Sequence, residues 1–259
     1  MSTSRRRYVV TGSASGIGSA ARKQLESAGH EVIGVDLRDA DVIADLSAPD
    51  GRAAMVEAVA ALAPGLEGVV ACAGMRGQAN DPEQIVRVNY FGAIASLEGL
   101  RHLLAAGDRP RAVVTASIAL LREPIDAIVQ ACLDDDEPAA LAATAGGDSH
   151  QAYTSSKLAV ARWARGAAPS ERWAGAGIAL NVVAPGIVKT PMSDYLTGTD
   201  ELQRRTALQT PQPYGTFGEP DHLASLLVWL TSAENGFVTG QVIFCDGGYE
   251  AITRGGVWP

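Results

Sequence analysis

The sequence predicts a single α/β domain built on a doubly wound parallel sheet with helices on both faces. Three observations predict it. Short, near-continuous apolar runs alternate with segments of helical periodicity from Tyr8 to Gly248, the pattern of parallel strands buried on both faces and joined by right-handed helical crossovers. The first run, Val9-Val10-Thr11, breaks into the glycine-rich turn Gly12-Ser13-Ala14-Ser15-Gly16-Ile17-Gly18. The 259 residues suffice for one sizeable core and fall short of two typical domains, so 1–259 reads as one unit.

In chain order, the turn after the first strand leads into a helix from Ile17 to Ala28 that stops at Gly29, a residue suited to a helix C-terminus. Glu31–Asp36 is a short buried strand closed by an acid. Val42–Leu46 reads as a third strand, and Pro49–Ala63 as an alanine-rich helix ended by Pro64-Gly65. Val69–Gly74 is the next buried strand, Pro82–Leu104 one long helix carrying Asn89, and Arg111–Thr115 a strand followed at once by Ala116-Ser117. Ligands on such sheets bind beyond the carboxyl ends of the strands. The residues just after each strand are therefore the functional candidates.

Composition narrows the partners. A net charge of -8 with no basic stripe argues against a nucleic-acid surface. Arg5-Arg6-Arg7 precedes an apolar run too short for a signal peptide, and no run is long enough to span a membrane. Cys72, Cys132 and Cys245 are far apart and have no metal-ligand spacing, so no metal is expected. The expectation is a cytoplasmic protein with reduced thiols acting on a small molecule.

Two constellations carry chemistry. Gly12 permits a tight turn, Gly16 and Gly18 allow close approach, and the following helix N-terminus presents unpaired N–H groups to a pyrophosphate. Asp36 lies about twenty residues on, where a carboxylate accepts hydrogen bonds from ribose hydroxyls and repels a 2′-phosphate. That favours NAD over NADP, although Arg38 is near enough to receive the extra phosphate. Tyr153 and Lys157 are four apart and share a helix face. A neighbouring ammonium and a cationic nicotinamide both favour phenolate, which suits Tyr153 to proton transfer, with the Ser117 hydroxyl holding the substrate oxygen.

Together these residues, over nearly the full length from Tyr8 to Gly248, resemble the short-chain dehydrogenase/reductase family. The resemblance implies a Rossmann-type fold, a cofactor turn at Thr11 to Gly18, a catalytic set of Ser117, Tyr153 and Lys157, and a proton relay completed by Asn89. It also implies that Asp45 and Leu46 touch adenine, that Ala73 and Gly74 lie along the cofactor, and that Pro185, Gly186, Ile187 and Thr190 receive the nicotinamide. His30–Ser47 and Ala71-Cys72-Ala73-Gly74 look most like the 3α-hydroxysteroid dehydrogenase/carbonyl reductase group, with coniferyl-alcohol dehydrogenases second. Both act on bulky apolar alcohols and carbonyls. A non-catalytic nucleotide-binding regulator keeps the same fold, and a sugar-nucleotide epimerase shares the Tyr-Lys pair but fits the glycine spacing less well.

Two departures stand out. Ala71-Cys72-Ala73-Gly74 lacks the asparagine common at this point, and Cys72 reads as a small buried filler. The interval from Ser117 to Tyr153 is too long for a plain connection, so residues 121–150 form a helical insertion before the catalytic helix. Its apolar stripe of Ile125, Ile128, Val129, Cys132 and Leu133 is expected to meet a second subunit, giving a homodimer, or else to line the pocket. Asp134-Asp135-Asp136-Glu137 reads as a solvated turn and Pro138–Thr144 as a second short helix. Residues 188–215 read as a poorly patterned substrate lid, with Met192, Tyr195, Leu196, Leu208 and Tyr214 available as apolar lining.

Overall fold

The computed structural model describes residues 5–78, 80–215 and 217–256, so the extreme ends of the 1–259 domain and two loop positions lie outside the described residues. The chain runs through β1 (Arg7–Thr11), α1 (Gly16–Ser27), β2 (Glu31–Asp36), β3 (Val42–Ile43), α2 (Pro49–Leu62) and β4 (Gly68–Ala71). It continues as α3 (Pro82–Val86), a π-helical segment (Arg87–Gly92), α4 (Ala93–Ala105) and β5 (Arg111–Thr115). A 3₁₀ turn (Ile118–Leu121) leads into the insertion, which contains α5 (Asp126–Leu133) and α6 (Glu137–Ala142) and is followed by α7 (Ser149–Ala167). After β6 (Ala179–Pro185) come a 3₁₀ turn (Pro191–Ser193), α8 (Asp194–Thr197), α9 (Asp200–Gln209), α10 (Pro220–Thr231), β7 (Val242–Cys245) and α11 (Tyr249–Arg254).

The seven strands form one parallel sheet in the order β3-β2-β1-β4-β5-β6-β7. Successive strand residues point to opposite faces. Tyr8, Val10, Val70, Val113 and Val183 pack with Leu25 of α1 and with Leu223 and Leu227 of α10. Val9, Val69, Ala112, Val114 and Val182 pack on the other face with Val59 of α2, Leu97 of α4 and Val160 of α7. The order reverses between β1 and β4, and the crevice beyond their carboxyl ends is the topological switch point.

Three local expectations are corrected. The third strand ends at Ile43, short of Leu46, because the Asp45 carboxylate accepts from Ser47 N at 2.9 Å and turns the chain. The long helix reaches Ala105 but widens into the π segment around Asn89. Gly92 lies so close to the loop after β3 that a Cβ there would sit 3.0 Å from Leu46 Cβ. The acidic run is not a plain solvated turn: Asp136 caps α6 by accepting from Ala139 N at 2.9 Å, and Glu137 receives Arg52 at 2.7 and 2.8 Å.

The apolar stripe of the insertion is covered by its own chain. Ile128, Val129 and Cys132 are 0%, 1% and 0% exposed within the single protomer, packed with α7 and the core, and none lines the cleft described below. These three side chains are therefore part of the protomer's own core, while Ile125 and Leu133 at the ends of the stripe are half-exposed. α7 holds this arrangement from beneath, since the Ser155 hydroxyl accepts from Ile125 N at 2.8 Å while donating to Gln151 O at 2.7 Å. Ile128→Asp should accordingly destabilise the fold by about 4 kcal/mol or more, through lost burial and an unpaired buried carboxylate. Urea denaturation checks this; an unchanged midpoint would show that the stripe is not core.

Candidate active site

One cleft of about 750 Å³ opens beyond the carboxyl ends of the central strands. Of the residues singled out from sequence, Gly12, Ser15, Gly16, Ile17, Gly18, Asp36, Asp45, Leu46, Gly74, Ser117, Tyr153, Lys157, Pro185, Gly186, Ile187 and Thr190 line it. Gly12 has φ 71° and packs so tightly that a Cβ would lie 2.9 Å from Ala73 Cα. At Gly18 a Cβ would meet Gly12 O at 2.2 Å, so the turn and the start of α1 nest together only without side chains. The N-cap Ser15 makes no side-chain cap bond and the first turn of α1 carries no acid. Its N–H groups and dipole are thus left facing the cleft, as an anionic pyrophosphate requires.

Asp36 closes this end. Its carboxylate accepts from Ala14 N at 3.0 Å and Leu37 N at 2.7 Å, which fixes its direction and leaves lone pairs for a ribose. Arg38 is exposed and lies outside the cleft wall. Ser13, Ala14, Ala73 and Asn89 are not among the residues that line the cleft. Ser13 is buried beneath Gly34, Ala14 offers its N–H to Asp36, and Ala73 backs Gly12. The Asn89 side chain instead clamps the loop after β4, accepting from Met75 N at 2.7 Å and donating to Met75 O at 3.0 Å. The Thr11 hydroxyl supports the same loop, accepting from Cys72 N and Ala73 N at 3.1 Å each. Cys72 makes no ion: burial pushes its thiol up to about 11.

Ser117, Tyr153 and Lys157 converge from β5 and α7. Asp148 and Gln151 form a reciprocal capping box that starts α7, with Asp148 accepting from Gln151 N at 2.7 Å, and this sets the helix phase that presents Tyr153 and Lys157 together. Lys157 Nζ donates to Thr115 O at 3.0 Å and lies 6.0 Å from the Tyr153 ring centroid. Burial raises the Tyr153 phenol above its ordinary range; Ser117 lowers it, Tyr195 raises it and Arg122 lowers it. Burial pushes Lys157 down to about 8. Within the protein alone, desolvation thus outweighs the Ser117 hydrogen bond and the Arg122 charge, which both favour phenolate.

The other half of the cleft is bounded by the loop after β4, the 3₁₀ turn after Ser117 and the lid. Met192, Tyr195 and Leu196 line it as expected; Leu208 and Tyr214, 85% and 93% exposed, do not. For Leu208 the reason is helical phase, because α9 turns Thr206 and Gln209 inward, and Tyr214 stands in the exposed turn beyond that helix. Sequence reasoning missed Met75, Arg76 and Arg122 on this wall. It also missed Gln212, whose amide accepts from Ile187 N at 3.1 Å and donates to Ile187 O at 3.4 Å, tying the end of the lid to the turn after β6.

A glycine turn at the switch point and a Tyr-Lys helix facing a strand-end serine define a nucleotide-dependent oxidoreductase class, and the chain belongs to the short-chain dehydrogenase/reductase family. Residues 139–250 match the family model described as enoyl-(acyl carrier protein) reductase. Over 254 residues the chain is 37% identical to the 3-alpha-hydroxysteroid dehydrogenase/carbonyl reductase of Comamonas testosteroni, covering 95% of this chain and 97% of that one. It is similar also to the solved structure of the 3-alpha-hydroxysteroid dehydrogenase from Pseudomonas sp. B-0831 complexed with NADH, with TM-score 0.90, 39% identity and coverage of 97% and 100%. The 2,5-dichloro-2,5-cyclohexadiene-1,4-diol dehydrogenase of Sphingobium indicum is 30% identical over 251 residues, with coverage of 94% and 96%.

Proposed function

We propose that the protein is an NAD(H)-dependent oxidoreductase that interconverts a bulky, apolar, cyclic alcohol and its ketone, as the names of its hydroxysteroid dehydrogenase relatives describe for them. The observation that carries this reading is the continuity of one cleft from Asp36, past the open N-terminus of α1, to Ser117 and Tyr153. Asp36, Asp45 and Leu46 would hold the adenosine, Gly12 to Gly18 the pyrophosphate, and Pro185 to Ile187 with Thr190 the nicotinamide. A nicotinamide bound there supplies the acceptor or donor of hydride.

The chain's own residues handle the proton. Tyr153 takes it from the alcohol in oxidation and returns it to the carbonyl oxygen in reduction, and Ser117 holds that oxygen by hydrogen bond. Lys157 contributes the positive charge that stabilises phenolate. Asn89 acts as a positioning residue through Met75. Placement in the cytoplasm accords with three free cysteines, and among the described residues no helix is long and apolar enough to cross a membrane. A homodimer is supported by a surface other than the insertion: Phe237 and Trp229 are exposed, and all four residues of edge strand β7 are half-exposed.

The test is an NADH-fluorescence assay over steroids, aromatic alcohols and quinones, run with both cofactors. NADH should exceed NADPH in kcat/KM because Asp36 would face the 2′-phosphate. Asp36→Ala should narrow that preference by at least about tenfold. NADPH equal to or above NADH with the unaltered protein would overturn the cofactor assignment, and no turnover across the panel would favour the regulator reading.

A further inference from the structure

We propose that Arg76 and Arg122 form an anion-reading pair at the outer end of the substrate half of the cleft, and that the preferred substrate carries a carboxylate or sulfate remote from its reacting carbon. The proposal rests on the reading of Ser117 and Tyr153 as the reacting end.

Both arginines line the same cleft as Ser117 and Tyr153. The carboxylates on the cleft wall, Asp36 and Asp45, belong to the opposite, adenosine end. The charged side chains that line the substrate half are therefore basic, in a protein of net charge -8. Among the described residues neither guanidinium pairs with a carboxylate or makes a side-chain hydrogen bond, whereas Arg22, Arg52, Arg87 and Arg172 are each held in ion pairs. Arg76 is half-buried, with its guanidinium 5.3 Å from the centroid of the Tyr195 ring on the lid. The π contact occupies one face of the group and leaves its N–H edge for a planar or tetrahedral oxyanion, the acceptor to which a guanidinium fork is matched.

Three separate segments meet at this point: the loop after β4 brings Arg76, the 3₁₀ turn after β5 brings Arg122, and α8 brings Tyr195. Arg122 also acts on both phenols, pulling Tyr153 and Tyr195 downward against burial. Arg122 stands just past the exposed end of the 3₁₀ turn that begins at Ser117, which puts the pair toward the mouth of the cleft and apart from the reacting oxygen. A 2-hydroxy acid carries its charge on the carbon next to the alcohol and would not reach from one to the other. The separation suits a fused or linked ring system with its alcohol at one end and its charge at the other.

The experiment compares 5α-androstane-3α,17β-diol with its 17-sulfate, by steady-state kinetics with NAD and by calorimetric titration into the protein–NADH complex. The unaltered protein should prefer the sulfate by at least about tenfold in kcat/KM, expressed mainly in KM, and the preference should shrink as salt rises. Arg76→Gln with Arg122→Gln should bring the ratio to near one, and Arg122→Glu should take it below one; thermal melts check that each variant folds. Parity in the unaltered protein, or a preference that survives the double substitution, overturns the anion site while leaving the oxidoreductase reading intact. Sulfate binding that depends on both arginines without turnover of either steroid supports the anion site and counts against the hydroxysteroid reading. Binding that is absent, or indifferent to the substitutions, overturns the pair.

Discussion

Tyr153→Phe should lower kcat by at least about 10²-fold while the melting temperature and the dissociation constant for NADH stay near those of the unaltered protein. The change removes one oxygen and keeps the ring, so packing against the loop after β4 is preserved; that loop comes so close that a Cβ on Gly77 would stand 2.8 Å from Tyr153 Cβ. What is lost is the proton carrier next to Ser117. A variant retaining near-normal kcat on a ketone would remove Tyr153 from the mechanism and pass proton transfer to solvent or to His150, which also lines the cleft.

Lys157→Met should abolish most activity and yet stabilise the cofactor-free protein. Lys157 is 4% exposed, with one protein hydrogen bond, to Thr115 O, and its ammonium is pushed from 10.5 down to about 8 by burial. A lysine with a lowered folded pKa destabilises the fold fully below that folded value, and the cost fades as pH rises toward the unfolded value. At 1.36 kcal/mol per pKa unit the penalty below pH 8 is about 3 kcal/mol, offset by roughly 1 kcal/mol for the lost hydrogen bond. Urea melts of the two proteins should therefore differ most below pH 8 and converge toward pH 10.5. A gap that widens with rising pH would contradict the sign. The arrangement trades stability for a charge placed beside the reacting phenol.

The features legible in sequence are those set by local rules. A strand period followed by glycines announces the turn at Gly12, a strand-end acid or serine marks Asp36 and Ser117, and four-residue spacing puts Tyr153 above Lys157. The structure gathers these around one cleft. What was not legible depends on which separated segments meet. Ile128 and Val129 show an apolar face, but periodicity says only that the face is covered, not that α7 of the same chain covers it. Arg76 and Arg122 stand in loops of unremarkable composition, and only tertiary approach brings both to one wall with Tyr195. Gln212 reads as any polar lid residue until its amide is seen spanning the backbone of Ile187. The π segment escaped because Pro82–Leu104 keeps a helical apolar pattern through a widening that no residue type announces.

The nesting of Gly12 against Ala73 has a further consequence for how the protein acquires its cofactor cradle. The turn is held by Thr11, whose hydroxyl bonds partners 61 and 62 residues away in sequence, and by pairing of β1 with β2 on one side and β4 on the other. The glycine motif is thus not a portable hairpin that folds as it is made. Its shape depends on contacts of high sequence separation, whose loop-closure entropy must be met before they stabilise anything. The expected consequence is that the pyrophosphate-binding turn takes its shape only after β4 has docked on β1, so that nucleotide affinity arises late in folding and depends on the sheet's centre being assembled.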